Sequence, residues 1–350
     1  METSKNLNYD RHLDSILKGV SRSFYLTLRF LPPSVRPQIS VAYLIARAAD
    51  TIADTNIIPL ENRIQTLRNI RDAILADSFT MNDLLYELGI KTEAADFSHD
   101  EKSLIENFGK VLRVYNSFSL EDRKLIKKVI YDITVGQELD LIRFSSADKS
   151  NIVPLSDDKE LENYTFFVAG TVGDFWTRIC FLHVMREQNL SPDEMVKLGV
   201  RYGKGLQLIN ILRDLPFDLI KGRCYIPLQS LKKHNLCPQD LLDVNNEEKF
   251  RPLYNHYLKL AFEHLRGGRD YVFSIPKRYF RLRFVTALPL LIGIKTLEEM
   301  YAGKVLDPGR KIKVSRGDVK KLVLLAALLY PVEHLWNKLF ISKRLAPLEN

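Results

Sequence analysis

The sequence predicts an all-α protein, on three observations. Glycine and proline are sparse, 16 and 15 among 350 residues. The long apolar runs are mostly Leu, Ile and Ala spaced by charges, which argues for helices. In two of the most apolar runs the charged residues recur every three or four positions, the spacing of one helix face. A content of 46% hydrophobic and 10% aromatic residues is ample for a large core. No internal repeat or change of composition divides the chain. One domain over 1–350 is therefore expected, with 305–350 forming a basic segment and an amphipathic helix.

Charge and cysteine usage narrow the setting. The net charge of +8 is compatible with nucleic acid, an anionic membrane surface or phosphorylated substrates. Cys180, Cys224 and Cys237 show no Cys-x-x-Cys or Cys/His metal spacing, so buried thiols in a reducing compartment are expected. The polar N-terminus, Met1 to Asp14, has no signal-peptide apolar core, and no run reaches the roughly 18 apolar residues of a membrane span. The expected location is the cytoplasm. The basic and aromatic run Lys277–Phe284 is too short a footprint for nucleic acid, which is excluded as a partner.

Taken in order, residues 11–31 begin as an amphipathic segment that reaches Ser21-Arg-Ser-Phe24. Leu31-Pro-Pro-Ser-Val-Arg-Pro37 is a breaker holding a helix start at Ser34 or Pro37. The helix it launches carries Arg47, Asp50 and Asp54 on one face of an apolar run, Ile39 to Asp54. Residues 61–95 continue helically, with Arg63, Arg68, Arg71 and Asp72 on a solvated face; a loop over 91–100 precedes helices over 101–118 and 120–144. Glu138, Asp140 and Arg143 in the last of these face either a cavity or the solvent, and such charge runs are more often solvated. Lys149–Lys159 reads as a linker. Within the apolar run Tyr164–Trp176, Gly170 and Gly173 each cost about 1 kcal/mol relative to Ala. Something must therefore approach the backbone closely, either a bulky ligand such as a prenyl chain or a neighbouring helix.

The run Gly205–Asp218 is the most informative. It places Gln207, Asn210, Arg213, Asp214 and Asp218 along one apolar segment, with Asp214 and Asp218 four apart and Asn210 a turn back. Two carboxylates and an amide oxygen on one stripe suit Mg²⁺, which takes oxygen ligands and completes its shell with water and substrate phosphates. Pro216 is expected to kink or end the helix, leaving Asp218 on irregular backbone. Opposed across a bundle, this helix and the one bearing Asp50 and Asp54 would form a wall of four carboxylates, unstable without cations. The turn after it holds Lys221, Arg223 and Tyr225, cations where a metal-bridged diphosphate would need them. Helices are expected over 251–274 and 285–301. Residues 319–341 are expected to form a last bundle helix or to lie on a membrane surface.

Four of these motifs together resemble the squalene/phytoene synthases: Ser21-Arg-Ser-Phe24, Tyr43–Asp54 with Arg47, Tyr164–Gly173 as Y-x-x-x-V-A-G-x-V-G, and Gln207–Asp218 followed by Gly222-Arg-Cys-Tyr-Ile-Pro227. The resemblance covers roughly residues 15–300. It implies a single-domain, all-α isoprenoid-synthase bundle with a central hydrophobic cavity. It also implies Mg²⁺ on Asp50, Asp54, Asn210, Asp214 and Asp218, and diphosphate on Arg22, Arg47, Arg213 and Arg223. Tyr164, with Tyr43 nearby, resembles a tyrosine proposed for proton handling or cation stabilisation. Ser21, Ser23, Phe24, Val168, Gly170, Gln207 and Tyr225 are implied as substrate contacts. Lys311-Ile-Lys-Val-Ser-Arg316 resembles the basic NADPH-binding segment of squalene synthases, which implies Lys311, Lys313, Arg316 and Asn210 as cofactor contacts. Phe284–Pro289 is similar to their last cavity helix.

The implied reaction is head-to-head condensation of two farnesyl diphosphates to squalene by a bacterial-type monomer, soluble or peripheral on the inner face of the membrane. Phytoene or dehydrosqualene synthesis without NADPH is the nearest alternative, and a scaffold or assembly-factor relative is the non-enzymatic one. Such relatives typically lose the aspartates, and all four are intact here.

Overall fold

The computed structural model describes residues 11–21, 24–55, 58–76, 97–186 and 190–348. The order is α1 Arg11–Ser21, α2 Tyr25–Phe30, α3 Arg36–Asp54, α4 Leu60–Ala76, α5 His99–Glu106, α6 Phe108–Asn116, α7 Leu120–Arg143, β1 Val153–Pro154, α8 Asp158–Thr165, a π-helical turn Phe166–Gly170, α9 Thr171–His183, α10 Pro192–Ile220, β2 Arg223–Cys224, α11 Leu228–Lys233, α12 Glu247–Ser274, α13 Phe280–Ala302, α14 Arg316–Leu329 and α15 Glu333–Lys338. The all-α expectation holds. The chain gathers into two compact units, Met1–Ile142 with Arg178–Met185, and Arg143–Thr177 with Arg186–Asn350.

In the first unit α3 is the central helix. Leu31-Pro-Pro stops the preceding chain, and Pro37, whose missing N–H costs nothing in a first turn, sits just inside the new helix. From Gln38 onward α3 buries every side except one, and that stripe carries Tyr43, Ala46, Arg47, Asp50 and Asp54. The helix-period reading of this run is therefore met in detail. The expectation of a solvated face on α4 is met only in part. Arg71 is 13% exposed and, with Arg68, binds Glu138 of α7 at 2.7 and 2.6 Å. Glu138, read as solvated, is the anchor of that ion cluster because its burial leaves it needing cationic partners.

In the second unit α10 begins at a reciprocal capping box between Ser191 and Glu194, with Pro192 in the first turn. It runs through Pro216 to Ile220, so the helix does not stop there and Asp218 stands on helix rather than on irregular backbone. The reason is a tertiary partner. Proline at 216 leaves the Leu212 carbonyl without its N–H donor, and the buried Tyr254 hydroxyl of α12 donates to that oxygen at 3.1 Å. Close backbone approach explains the small residues here. A Cβ on Gly173 would lie 2.0 Å from the Gly199 carbonyl oxygen, and one on Gly203 would lie 2.1 Å from that of Ala169. The space that Gly170 and Gly173 leave is taken by α10, the neighbouring-helix alternative.

Residues 149–159 are not a linker. Val153 and Pro154 pair in parallel with Arg223 and Cys224, which fixes the turn after α10. Gly222 makes this possible, since its φ of 78° and its contact with the Asp148 backbone exclude a side chain. Beyond α13, residues 311–315 run extended, alternating exposed Lys311, Lys313 and Ser315 with buried Ile312 and Val314. Ser315 then caps α14 through the Asp318 amide. The hairpin of α14 and α15 is fastened by Arg283, 2% exposed, whose guanidinium lies 5.0 Å from the Phe273 ring and 4.9 Å from Trp336 while donating to Glu333. Cys180 and Cys224 are buried as expected, but Cys237 is exposed.

Tyr254→Phe should cost about 1–3 kcal/mol, because it strands a buried carbonyl while keeping the ring. Urea denaturation checks this. An unchanged midpoint would show that the Leu212 oxygen is satisfied some other way.

Candidate active site

The first unit assembles one acidic cluster. Asp50 lies on the unburied stripe of α3 with Asp54 one turn on. Arg47 binds Asp50 from three residues back and reaches Glu101 of α5 at 2.5 Å. The Gln137 amide of α7 also donates to Asp50. Desolvation, then the Asp54 charge, push the Asp50 carboxyl up to about 6, against the pull of Arg47 and Gln137. The Asp50 side chain is nevertheless 42% exposed, so an ion from solvent can reach it. Two buried atoms of this cluster, Arg47 Nε and Gln137 Oε1, have no hydrogen-bond partner among the described residues.

The other residues expected in this unit are placed less uniformly. The Tyr43 hydroxyl donates to the Val20 carbonyl at 3.2 Å, and its ring lies 5.6 Å from that of Phe24. Ser21 is buried and donates to the Leu17 carbonyl of its own helix. Arg22 and Ser23 lie outside the described residues.

The second unit assembles a matching arrangement. From Gly205 onward α10 leaves unburied a stripe that carries Gln207, Asn210, Arg213, Asp214 and Asp218. Arg213 grips Asp214 with two hydrogen bonds, Nε at 2.9 Å and an Nη at 2.5 Å, and that pairing raises the arginine's pKa further. The Asn210 amide donates to Gln207 at 3.3 Å. Beyond the Gly222 turn, Tyr225 stacks on Tyr164 with ring centroids 4.8 Å apart and hydroxyls 3.4 Å apart. Phe144 meets Tyr225 edge-on at 5.2 Å and lies under the Arg223 guanidinium at 5.8 Å. Val168 and Gly170 fall in the π-helical turn that follows Tyr164. Lys311 sits over the Phe217 ring at 5.9 Å, which brings the extended basic segment alongside the aspartate-bearing end of α10. Lys313 and Arg316 are exposed on the same stretch.

Three residues of these clusters escaped sequence reasoning. Glu101 is legible as a capping-box residue with Ser98, but its partner Arg47 is 54 residues away. Gln137 and Phe144 carry no local signal at all. Their roles exist only through residues brought beside them by packing.

The sequence model of squalene/phytoene synthases matches residues 17–318. The chain belongs to the squalene/phytoene synthase family. Among relatives of this family member, the Saccharomyces cerevisiae squalene synthase ERG9 is 25% identical over 316 residues, covering 90% of this chain and 67% of that protein. The Neurospora crassa bifunctional lycopene cyclase/phytoene synthase is 27% identical over 272 residues, covering 74% of this chain and 43% of the relative. The chain thus spans about two-thirds of the first and less than half of the second. TcSQS, solved with the ligand E5700, shares the fold with a TM-score of 0.73 at 20% identity, covering 97% of this chain and 98% of that one. A dehydrosqualene synthase solved with a ligand gives 0.62 at 20%, covering 91% and 95%.

The residues present fit the groups that the family implies. Among the described residues no three His, Cys, Asp or Glu side chains already form a metal-holding group. Pairs of carboxylates with an orphaned amide oxygen suit a cation that keeps water and phosphate in its shell. The orphaned Arg47 Nε is a donor left for an anion. Lys311, Lys313 and Arg316 are exposed cations suited to a dinucleotide phosphate.

The raised Asp50 pKa sets a pH dependence. The folded chain holds this proton between roughly pH 4 and 6 while the unfolded chain releases it, so this group's contribution to stability falls as pH rises through that window. Asp50→Asn should therefore be more stable than the parent near neutrality in chelator, with the advantage shrinking towards about pH 4. Added Mg²⁺ should raise the parent's melting temperature more than the variant's. Melts across pH read both effects, and a pH-independent difference would refute the assignment.

Proposed function

We propose that the protein condenses two farnesyl diphosphates head to head, through presqualene diphosphate, to squalene, with Mg²⁺ and NADPH. The observation that carries this is the recurrence of one device on two helices. Each helix buries every side but one over its motif, and the remaining stripe holds an Asp-x-x-x-Asp pair whose first carboxylate is clasped by an arginine, Arg47 to Asp50 and Arg213 to Asp214. Membership of the squalene/phytoene synthase family supports prenyl head-to-head condensation as the reaction class.

When bound, Mg²⁺ neutralises the departing diphosphate and NADPH supplies a hydride. The protein's own part begins with the arginines. Once its carboxylate partner is engaged elsewhere, each guanidinium turns its planar fork to diphosphate oxygens, which it suits better than a lysine would. Arg223, held against Phe144, adds a third cation. The stacked rings of Tyr164 and Tyr225 offer π faces to the allylic cation formed as diphosphate leaves, and their hydroxyls give a route for the proton lost when the cyclopropane of presqualene diphosphate closes.

Incubation with farnesyl diphosphate and Mg²⁺, with and without NADPH, tests this directly. Squalene should form only when NADPH is present; a dehydrosqualene or phytoene product independent of NADPH would remove the reductive step. Asp50→Asn and Asp214→Asn should each lower condensation by about 10²-fold or more, and full activity in either variant would sink the metal assignment. Replacing Lys311 and Lys313 together by Ala should raise the KM for NADPH about tenfold. An unchanged KM would place the dinucleotide elsewhere.

A further inference from the structure

The helix α14 is unusual in what it leaves uncovered. Residues 322–329 are eight consecutive apolar side chains, Leu-Val-Leu-Leu-Ala-Ala-Leu-Leu, yet Ala326 alone among them is buried. Leu324 is 58% and Leu328 64% exposed. With Ala327 between them and Pro331 and Val332 following, they continue at three- and four-residue spacing as one apolar strip. Phe280, also exposed, joins its far end through an edge contact with Tyr330 at 4.7 Å.

The exposure is not that of an undocked element. On the opposite side of α14 the Ala326 carbonyl accepts the Trp336 indole N–H at 3.0 Å, and Trp336 packs on the buried Arg283. One side of the hairpin is therefore seated, and the outward leucines are left uncovered by the described residues.

Charge decides what covers them. Lys320 and Lys321 stand exposed one turn before Leu324 on the same stripe, and Arg278 and Arg281 stand exposed around Phe280 at its other end, where Lys277 is paired with Glu333 at 2.6 Å. A second copy seated on this strip by twofold symmetry would bring its lysines close to these, at a repulsive cost. An anionic lipid surface meets the same cations favourably, while the leucines enter the boundary between headgroups and acyl chains. No described helix is long and apolar enough to cross a membrane. We propose that the exposed face of α14 and the turn after it, from Lys320 to Val332, is a docking surface on which the protein lies against an anionic lipid bilayer without spanning it. The proposal does not depend on which hydrocarbon the active site makes.

Sedimentation of the full chain with vesicles of phosphatidylcholine, with and without phosphatidylglycerol, tests it. The parent should partition to the anionic vesicles and be released by salt. Leu324→Ser with Leu328→Ser should weaken partition about tenfold or more. Lys320→Glu with Lys321→Glu should weaken it at least about tenfold on anionic vesicles and erase the preference for them. Both variants should melt with the parent, since the altered side chains touch solvent, and a large drop in melting temperature would contradict the exposed face. Failure of the parent to bind anionic vesicles, or parent-like binding by the leucine variant, overturns the proposal. A dimer in analytical ultracentrifugation that the leucine variant dissolves would assign the face to a second copy instead.

Discussion

A carboxylate set on the one open stripe of an otherwise apolar helix is steadied by a counter-charge, and the two motif helices depend on that constraint. The chain meets it with arginines from the same helix, three residues before Asp50 and immediately before Asp214. Exposed, such pairs would contribute little. Beside otherwise buried helix faces they hold the carboxylates in place. At Asp50, burial and then the Asp54 charge outweigh the arginine and hold the carboxyl up to about 6.

Rigid support for this arrangement comes from neighbours rather than from the motif helices alone. On α10 the break that Pro216 would impose is repaired by Tyr254, so Asp214 and Asp218 keep their one-turn relation. The Ala169–Gly173 and Gly199–Gly203 steps let α9 and its π-helical turn close on α10 nearly backbone to backbone. The parallel pairing of Val153–Pro154 with Arg223–Cys224 then fixes the turn that holds Arg223 and Tyr225, and Tyr225 stacks on Tyr164. Chemistry-bearing residues separated by about sixty positions are joined by packing that uses few polar contacts.

The C-terminal region divides its labour along its length. Residues 311–315 are extended, so lysines alternate outward while Ile312 and Val314 anchor inward. Where Ser315 caps α14 the periodicity changes from two to helical, and the cations pass onto the outer face of a helix whose other side is locked by Arg283 and Trp336. The same basic run therefore ends beside Phe217 at one end and in the apolar strip of α14 at the other.

The sequence by itself determined the helical class, the positions of both Asp-x-x-x-Asp stripes and the turn after Asp218, because helix periodicity and turn chemistry are local properties. It also marked Gly170 and Gly173 as places of close approach, though not what approaches. Tertiary structure alone decided the rest, since each remaining fact depends on a partner remote in the chain. Glu101 and Gln137 complete the Asp50 cluster across 51 and 87 positions of sequence. Tyr254 keeps the helix from ending at Pro216, Glu138 becomes a half-buried anchor for Arg68 and Arg71, and Val153–Pro154 within the expected linker pair with Arg223–Cys224. Even the fate of the leucines of α14 was undecidable from their pattern, because an apolar stripe reads the same whether a neighbouring helix covers it or no described residue does.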